Sequence, residues 1–155
     1  MNDREREPVA TAPTSTHYVS AGPPAPLRYV VRLREETFVE VSGATGNPRD
    51  QGRDCQLIGS GANGATDMTL GVYTLAPNEY HPRHFHARGT EFYYILEGSC
   101  LITVGDDIVE ATPGTAIYLP EGTVHAVRTR DHESVSILYG FDEGISENVA
   151  VTWLE

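Results

Sequence analysis

Lysine is absent from this chain of 155 residues, and all eleven basic residues are arginines. Without lysine the protein has no lysine Schiff base, no lysine general base and no lysine for a phosphate-binding loop. Acidic residues number 22, which gives a formal net charge of −11. Because nucleic acids and anionic membranes attract basic surfaces, we expect neither to be a partner.

Cysteine is also scarce, since Cys55 and Cys100 are the only two in the sequence. Two cysteines are too few for the disulfide framework of a small secreted domain. No apolar run approaches the length of a transmembrane helix, and the charged residues 1–8 are not followed by the apolar stretch of a secretion signal. We therefore expect a cytoplasmic protein.

The length of the chain allows one domain with a hydrophobic core and is short for two. Residues 1–26 hold five of the ten prolines, so we predict a flexible N-terminal arm. An alternative is that this arm lies across a partner subunit. Residues 27–155 are predicted to form a single domain.

Short runs of alternating, β-branched and aromatic residues indicate strands along most of the chain. Residues 27–42 alternate apolar with polar side chains and predict strands, whereas the glycine-rich residues 43–67 predict a long loop with one short strand near Leu57. A hairpin is expected around residues 105–107. No window has a helical period, so the sequence predicts an all-β sandwich or barrel. Further strands are predicted at 68–75, 91–96, 100–104, 108–111, 116–119, 123–129, 135–141 and 149–154.

Three of the six histidines, His81, His84 and His86, lie within six residues. In a strand, side chains alternate between faces, so His84 and His86 point the same way. Glu91 follows after a short turn, and His125 begins a later strand in a context of glycine and proline. Imidazole and carboxylate together suit iron, zinc, manganese, nickel or copper. We predict one divalent transition metal per chain, held by His84, His86, Glu91 and His125.

The segments that carry these residues resemble the two motifs of the cupin superfamily. The first motif is similar to residues 84–98, which read HFHARGTEFYYILEG, and the second to residues 114–125, which read GTAIYLPEGTVH. The resemblance covers about residues 68–141. It departs from the motifs at Asn78, where the first has glycine, and at Thr129, where the second has asparagine.

Resemblance to cupins implies a jelly-roll β-barrel with the metal near its centre. It also implies that the ligands are His84, His86, Glu91 and His125. This ligand set would leave one or two open coordination positions, which is typical of a catalytic rather than a structural metal.

Two further residues are candidates for catalysis. Tyr93 shares a strand face with Glu91 and is predicted to act as an acid, a base or a substrate anchor. The alternative is that Tyr93 is a core aromatic. His81 is predicted to be a fifth ligand or a proton shuttle, with a surface position as the alternative.

Apolar side chains at Tyr94 and Leu96 are predicted to point outward, where a monomer would expose them to water. The strands predicted near the two ends of the domain would add sheet edges that need cover. We therefore predict a homodimer.

The resemblance favours a metal-dependent enzyme that acts on a small oxygenated organic substrate. We favour dioxygenase-type chemistry, in which iron would bind both substrate and oxygen. The first alternative is redox-neutral chemistry of the cyclase, isomerase or lyase type, in which a tyrosine or histidine moves a proton. The second is a cupin that binds a small molecule without catalysis.

Overall fold

The computed structural model describes residues 24–42, 44–144 and 149–155, so the predicted arm at residues 1–26 lies outside the described residues except for 24–26. Within these ranges the chain forms strands and one 3₁₀ turn, Leu33–Glu35. No helix in the described ranges is long and apolar enough to cross a membrane. The strands are β1 (Val39–Glu40), β2 (Arg53–Ile58), β3 (Thr69–Leu75), β4 (Tyr80–His86), β5 (Glu91–Gly98), β6 (Cys100–Val104), β7 (Asp107–Ala111), β8 (Ala116–Leu119), β9 (His125–Arg128), β10 (Val135–Phe141) and β11 (Val151–Trp153).

The strands form two sheets in which neighbouring strands are antiparallel. One sheet has six strands in the order β1-β2-β3-β10-β5-β8, and the other has five in the order β11-β4-β9-β6-β7. The predicted hairpin is confirmed, because Val104 pairs with Asp107 and Gly105 begins the turn between them at a φ of 60°. The prediction of an all-β jelly-roll barrel is confirmed.

Side chains from both sheets meet in one apolar core. Along β5, burial alternates with the strand period, so that Glu91, Tyr93 and Ile95 are buried while Tyr94 and Leu96 are exposed. This apolar burial supplies most of the favourable free energy of folding. The buried core consists of Val41, Tyr73, Leu75, Tyr93, Ile95, Cys100, Ile102, Ala111, Leu119, Val127, Val135, Ile137, Tyr139, Phe141 and Val149.

The strands predicted within residues 27–42 are wrong for most of that segment. Only Val39 and Glu40 pair, with Asp54 and Arg53 of β2. Tyr29 is 91% exposed. Alternation predicts which side chains could share a face, but a strand also needs a neighbour for its backbone hydrogen bonds.

The long loop predicted for residues 43–67 is interrupted by more structure than expected. The short strand near Leu57 is confirmed but is six residues long, as β2, and pairs with β3 from Arg53 to Ile58. This pairing brings Asp54 to the inner wall of the barrel, where it is 3% exposed. The preceding turn places Asp50 in the interior with no exposed surface.

The two departures from the cupin motifs meet at one turn. Asn78 has a φ of 63°, a left-handed conformation that asparagine tolerates better than most residues other than glycine. Thr129 Oγ1 donates to the carbonyl of Ala76 at 2.6 Å and accepts from the amide of Glu79 at 3.0 Å. The turn is therefore held without the usual glycine and asparagine.

Candidate metal centre

Both sheets contribute to the predicted metal site. His84 on β4 pairs directly with His125 on β9, and His86 lies two residues further on the same face of β4. Glu91 is the first residue of β5 and reaches the histidines from the opposite sheet. These four side chains, here called the histidine–glutamate cluster, are each 3% exposed or less.

The turn that joins β4 to β5 brings Glu91 to the histidines. Gly89 adopts a φ of 90°, and its amide donates to Glu121 Oε1 at 3.0 Å. The amide of Thr90 donates to Asp142 Oδ1 at 2.7 Å. Hydrogen bonds from two other loops thus hold the turn, so the chain crosses between the sheets at a defined point.

The ligand atoms of the cluster converge on one point. One atom from each of its four residues lies within 4.8 Å of the other three. Nε2 of His125 and Nε2 of His86 lie 3.0 Å and 3.3 Å from Oε2 of Glu91. A separation of this size fits a single ion between the side chains, because ligand bonds to transition metals are about 2.0–2.2 Å long.

Backbone carbonyls orient two of the imidazoles. Nδ1 of His84 lies 2.7 Å from the carbonyl oxygen of Pro82, and Nδ1 of His125 lies 2.8 Å from that of Thr123. Because each carbonyl can only accept, each Nδ1 carries the proton and each Nε2 presents a lone pair to the cluster. This is the tautomer that binds a metal through Nε2.

Several buried atoms of the cluster lack a hydrogen-bond partner of good geometry within the described part of the chain. Among them are Nε2 of His84, His86 and His125 and Oε2 of Glu91, the four atoms that face one another; Nδ1 of His86 is a fifth. Buried polar atoms without partners cost free energy and are rare in native proteins. A metal ion between them would satisfy all four, so the cluster fits a divalent transition metal.

Electrostatics keeps the cluster in its metal-binding protonation state. Burial, together with the neighbouring His125, His81 and His86, lowers the pKa of His84 well below its ordinary value. Burial alone would raise the pKa of Glu91, but hydrogen bonds donated by His125 and His86 and their positive charge outweigh it and lower the pKa to about 2. A bound metal ion would take the place of those protons. A neutral imidazole and an ionised carboxylate are the forms that bind metals.

His81 lies beside the cluster rather than on the surface. Its side chain is 3% exposed, and its ring centroid lies 4.4 Å from that of His84. Nδ1 of His81 is 2.6 Å from Oδ1 of Asp50 and 3.4 Å from the hydroxyl of Tyr73. His81 is outside the group of converging ligand atoms.

Tyr93 points inward, as its phase with Glu91 predicts. It is 5% exposed, and its ring centroid lies 5.9 Å from that of His125. The ring borders a narrow cavity between the sheets, beside the cluster. The cavity is lined by Tyr73, His81, Glu91, Tyr93, Val127, Ile137 and Tyr139.

Sequence reasoning missed two acidic residues of this region. Asp50 and Asp54 fall in the segment predicted as a loop, and no spacing in the sequence connects them with the histidines. The sequence does not orient Tyr73, Tyr118 and Tyr139 relative to the metal ligands, because none of the three shares a strand with a ligand. Tyr73 and Tyr139 are buried and face the cavity, whereas Tyr118 is 68% exposed.

Two facing antiparallel sheets that enclose three histidines and a glutamate define a barrel suited to a metal ion. The family model described as the cupin domain matches residues 71–141. The chain belongs to the cupin superfamily.

Comparison with known proteins finds relatives over most of the chain. The dimethylsulfoniopropionate lyase DddW of Ruegeria pomeroyi is 30% identical over 131 residues, which are 84% of this chain and 82% of that protein. The tetracenomycin polyketide synthase protein TcmJ of Streptomyces glaucescens is 25% identical over 101 residues, 65% of this chain and 68% of that protein. The solved structure of the polyketide cyclase RemF from Streptomyces resistomycificus matches with a TM-score of 0.67 at 23% identity, over 83% of this chain and 87% of that one. The likeness to RemF bears on the fold alone.

Proposed function

We propose that this protein is a metal-dependent enzyme that moves a proton on a small oxygenated organic molecule without oxidising it, as a lyase, cyclase or isomerase does. The observation that carries the proposal is the group of side chains able to exchange a proton around the cavity beside the cluster: Tyr73, His81, Tyr93 and Tyr139. Its relative DddW is named as a lyase, which supports the same class of reaction.

The histidine–glutamate cluster holds the metal in this proposal. His84, His86, Glu91 and His125 each supply one ligand atom. When bound, a divalent ion acts as a Lewis acid toward an oxygen of the substrate. Four protein ligands leave room for one or two ligands from the substrate.

Tyr93 acts on the substrate from the same strand that carries Glu91. Two residues of strand separate them by roughly 6–7 Å, which is long for direct ligation and suitable for a hydrogen bond to a substrate beside the cluster. Its hydroxyl would hold or move a proton at the reacting atom. The apolar ring anchors Tyr93 in the core near His125.

His81 is the second proposed catalytic residue. Asp50 accepts the proton of Nδ1, which leaves Nε2 as the nitrogen that can take a proton from a substrate. The imidazole also borders the cavity. His81 therefore has the geometry of an oriented base close to the histidine–glutamate cluster.

Dioxygenase chemistry, which the sequence alone favoured, is the second candidate. Three imidazoles and one carboxylate suit iron as well as zinc. A dioxygenase, however, has less need of several proton-transfer groups around the substrate. The arrangement of Tyr93 and His81 therefore favours the redox-neutral reaction.

One experiment separates the two reactions. The full chain is loaded in turn with iron, zinc, manganese, nickel or copper and incubated in D2O with dimethylsulfoniopropionate or with a β-dicarbonyl compound. Proton NMR follows exchange or loss of the hydrogen next to the carboxylate or carbonyl, while an electrode follows oxygen. We expect exchange or elimination without oxygen uptake. Oxygen consumption in step with substrate loss, without exchange, would contradict the proposal.

Matched variants show whether the exchange or elimination seen by NMR comes from the proposed site. Tyr93→Phe removes one hydroxyl from the cavity, and Tyr94→Phe removes one from the exposed face of the same strand. Only Tyr93→Phe is expected to lose activity. His84→Ala should lose activity through loss of the metal.

A further inference from the structure

The second ring nitrogen of His86 is held differently from that of the other two histidines in the cluster. Nδ1 of His84 and Nδ1 of His125 each donate to a backbone carbonyl, at 2.7 Å and 2.8 Å. Nδ1 of His86 is buried, and no group in the described part of the chain forms a hydrogen bond with it. The ring of His86 meets the ring of Phe141 edge to face, with 4.9 Å between their centroids. His86 is thus oriented by packing rather than by a hydrogen bond.

This difference makes ligation by His86 less favourable. In a neutral imidazole one nitrogen carries the proton and the other has the lone pair that binds a metal. A ligand bond through Nε2 of His86 therefore puts the proton on Nδ1, where a buried donor without an acceptor costs free energy. The other tautomer carries the proton on Nε2, which lies 3.3 Å from Oε2 of Glu91, an atom able to accept it. His86 alone among the three imidazoles lacks a hydrogen bond that favours its metal-binding tautomer.

His86 also stands apart from the other ligands. Its ring centroid lies 5.2 Å from that of His84 and 5.5 Å from that of His125, whereas those two are 4.1 Å apart. It is the last residue of β4, and the next two residues, 87 and 88, are exposed. His84 lies further inside the strand, with the ring of Trp153 at 5.1 Å. His86 is therefore the histidine at the strand end, beside an exposed turn.

We propose that His86 is the labile ligand of the cluster, which adds least to metal affinity and gives up its position to an oxygen ligand such as a substrate carboxylate or carbonyl. His84, Glu91 and His125 keep the ion in place. This inference rests on the proposed function and deepens it, because it names the coordination position that the substrate takes. The exchange breaks the bond from Nε2 of His86 and forms one from an oxygen lone pair, with no oxidation and no net proton transfer.

Metal affinity tests the proposal without any turnover. The full chain is freed of metal, and Zn²⁺ binding is measured in competition with a chelating dye for the wild type, His84→Ala, His86→Ala and His125→Ala. A ligand without a hydrogen-bonded partner contributes about 10–100-fold less to affinity than one that has it. We therefore expect His86→Ala to weaken binding by about 10–100-fold less than either of the other two variants. Phe85→Leu, on the opposite face of β4, is the control and should bind Zn²⁺ as the wild type does. A loss in His86→Ala as large as in His84→Ala would overturn the proposal.

A second measurement uses the wild type and does not depend on the folding of any variant. Zn²⁺-loaded protein with ¹⁵N in its histidines is observed by NMR while acetohydroxamate, a bidentate oxygen ligand, is added. The Nδ1 protons of His84 and His125 should show the shifts of hydrogen-bonded protons, which distinguishes these two rings from His86. We expect Nε2 of His86 to lose its metal-bound shift while the other two keep theirs. Release of His84 or His125 instead, or retention of all three, would overturn the proposal.

The outcomes separate this inference from the proposed function. Turnover by the wild type, together with equal losses of Zn²⁺ affinity in the three histidine variants, would overturn the role of His86 and leave the proposed function standing. The expected order of affinities and the release of His86, without turnover of any substrate, would reject the proposed function and leave His86 as the labile ligand.

Discussion

Nδ1 of His81 lies 2.6 Å from Oδ1 of Asp50, and both side chains are buried beside the histidine–glutamate cluster. The other carboxylate oxygen of Asp50 accepts a hydrogen bond from Thr45 Oγ1 at 2.7 Å. Asp50 is therefore fixed at both oxygens, and it fixes the orientation and tautomer of His81 in turn. A carboxylate behind an imidazole is a common means of preparing a histidine for proton transfer.

This contact predicts that Asp50→Asn lowers turnover by about 10–100-fold while bound metal and folding are kept. The amide has nearly the same shape but no longer favours the Nδ1–H tautomer of His81. Steady-state kinetics and metal analysis on the same samples provide the measurement. His81→Gln should cost a similar factor, and the double variant should cost little more than either single one, because the two residues act as a unit. Fully additive losses would show that they act independently.

Tyr93→Phe is predicted to keep the fold and the metal and to lower turnover by about 10²–10⁴-fold. The reason is that only the hydroxyl, which serves as acid or base, is removed from a residue that otherwise packs in the core. Tyr94→Phe is the matched control on the exposed face of β5. Turnover of Tyr93→Phe within about twofold of the wild type would mean that Tyr93 only fills the barrel.

The raised pKa of Asp54 predicts that the free energy of unfolding depends on pH. Its pKa rises from the ordinary 3.8 to about 6 on folding because it is buried. The folded state therefore binds this proton more tightly than the unfolded state. The stabilisation is present below about pH 4 and is lost as the pH rises through about 6.

Asp54→Asn should accordingly be more stable than the wild type at about pH 8, by on the order of 1–3 kcal/mol, and should lose most of that advantage near pH 4. The amide remains neutral at both pH values, whereas the buried carboxylate is charged at the higher one. Urea unfolding at the two pH values, with the same metal loading, measures the difference. An advantage equal at both pH values would show that Asp54 keeps an ordinary pKa in the folded protein.

The outer face of the six-stranded sheet supports the prediction of a homodimer. Phe92, Tyr94 and Leu96 on β5 are 38–43% exposed, and Tyr118 on the neighbouring β8 is 68% exposed. Among the described strands, β8 is an edge of this sheet. Light scattering at micromolar concentration should give twice the monomer mass, and Leu96→Glu should shift the protein toward monomer. A monomer mass for the wild type would reject this prediction.

The histidine–glutamate cluster could be predicted from the sequence because its geometry is mainly local. His84 and His86 share a strand face by alternation, and Glu91 follows after one turn. His125 is distant in the sequence and could be included because its segment resembles the second cupin motif. The side chain of Tyr93 could be oriented from its phase with Glu91.

Asp50, Asp54 and Tyr139 could not be placed in the same way. The glycines of residues 43–67 predict mainly a loop with a short strand near Leu57. The start of β2 at Arg53 and the inward direction of Asp54 depend on pairing with β3, which the sequence of this segment does not reveal. The position of the Tyr139 side chain depends on Gly71 in the neighbouring strand, where a Cβ atom would lie 2.5 Å from the tyrosine hydroxyl. Within residues 27–42 the opposite error occurred, because a strand-like alternation has almost no partner strand in the fold.

The central claim is that the histidine–glutamate cluster binds one catalytic metal ion per chain. Elemental analysis of protein purified without a histidine tag tests it most directly. The wild type should contain close to one equivalent of a transition metal. His84→Ala and His125→Ala should each lose most of it while circular dichroism still shows a β-barrel, because each removes a buried ligand. Wild-type protein without metal, or full metal content in both variants, would contradict the claim.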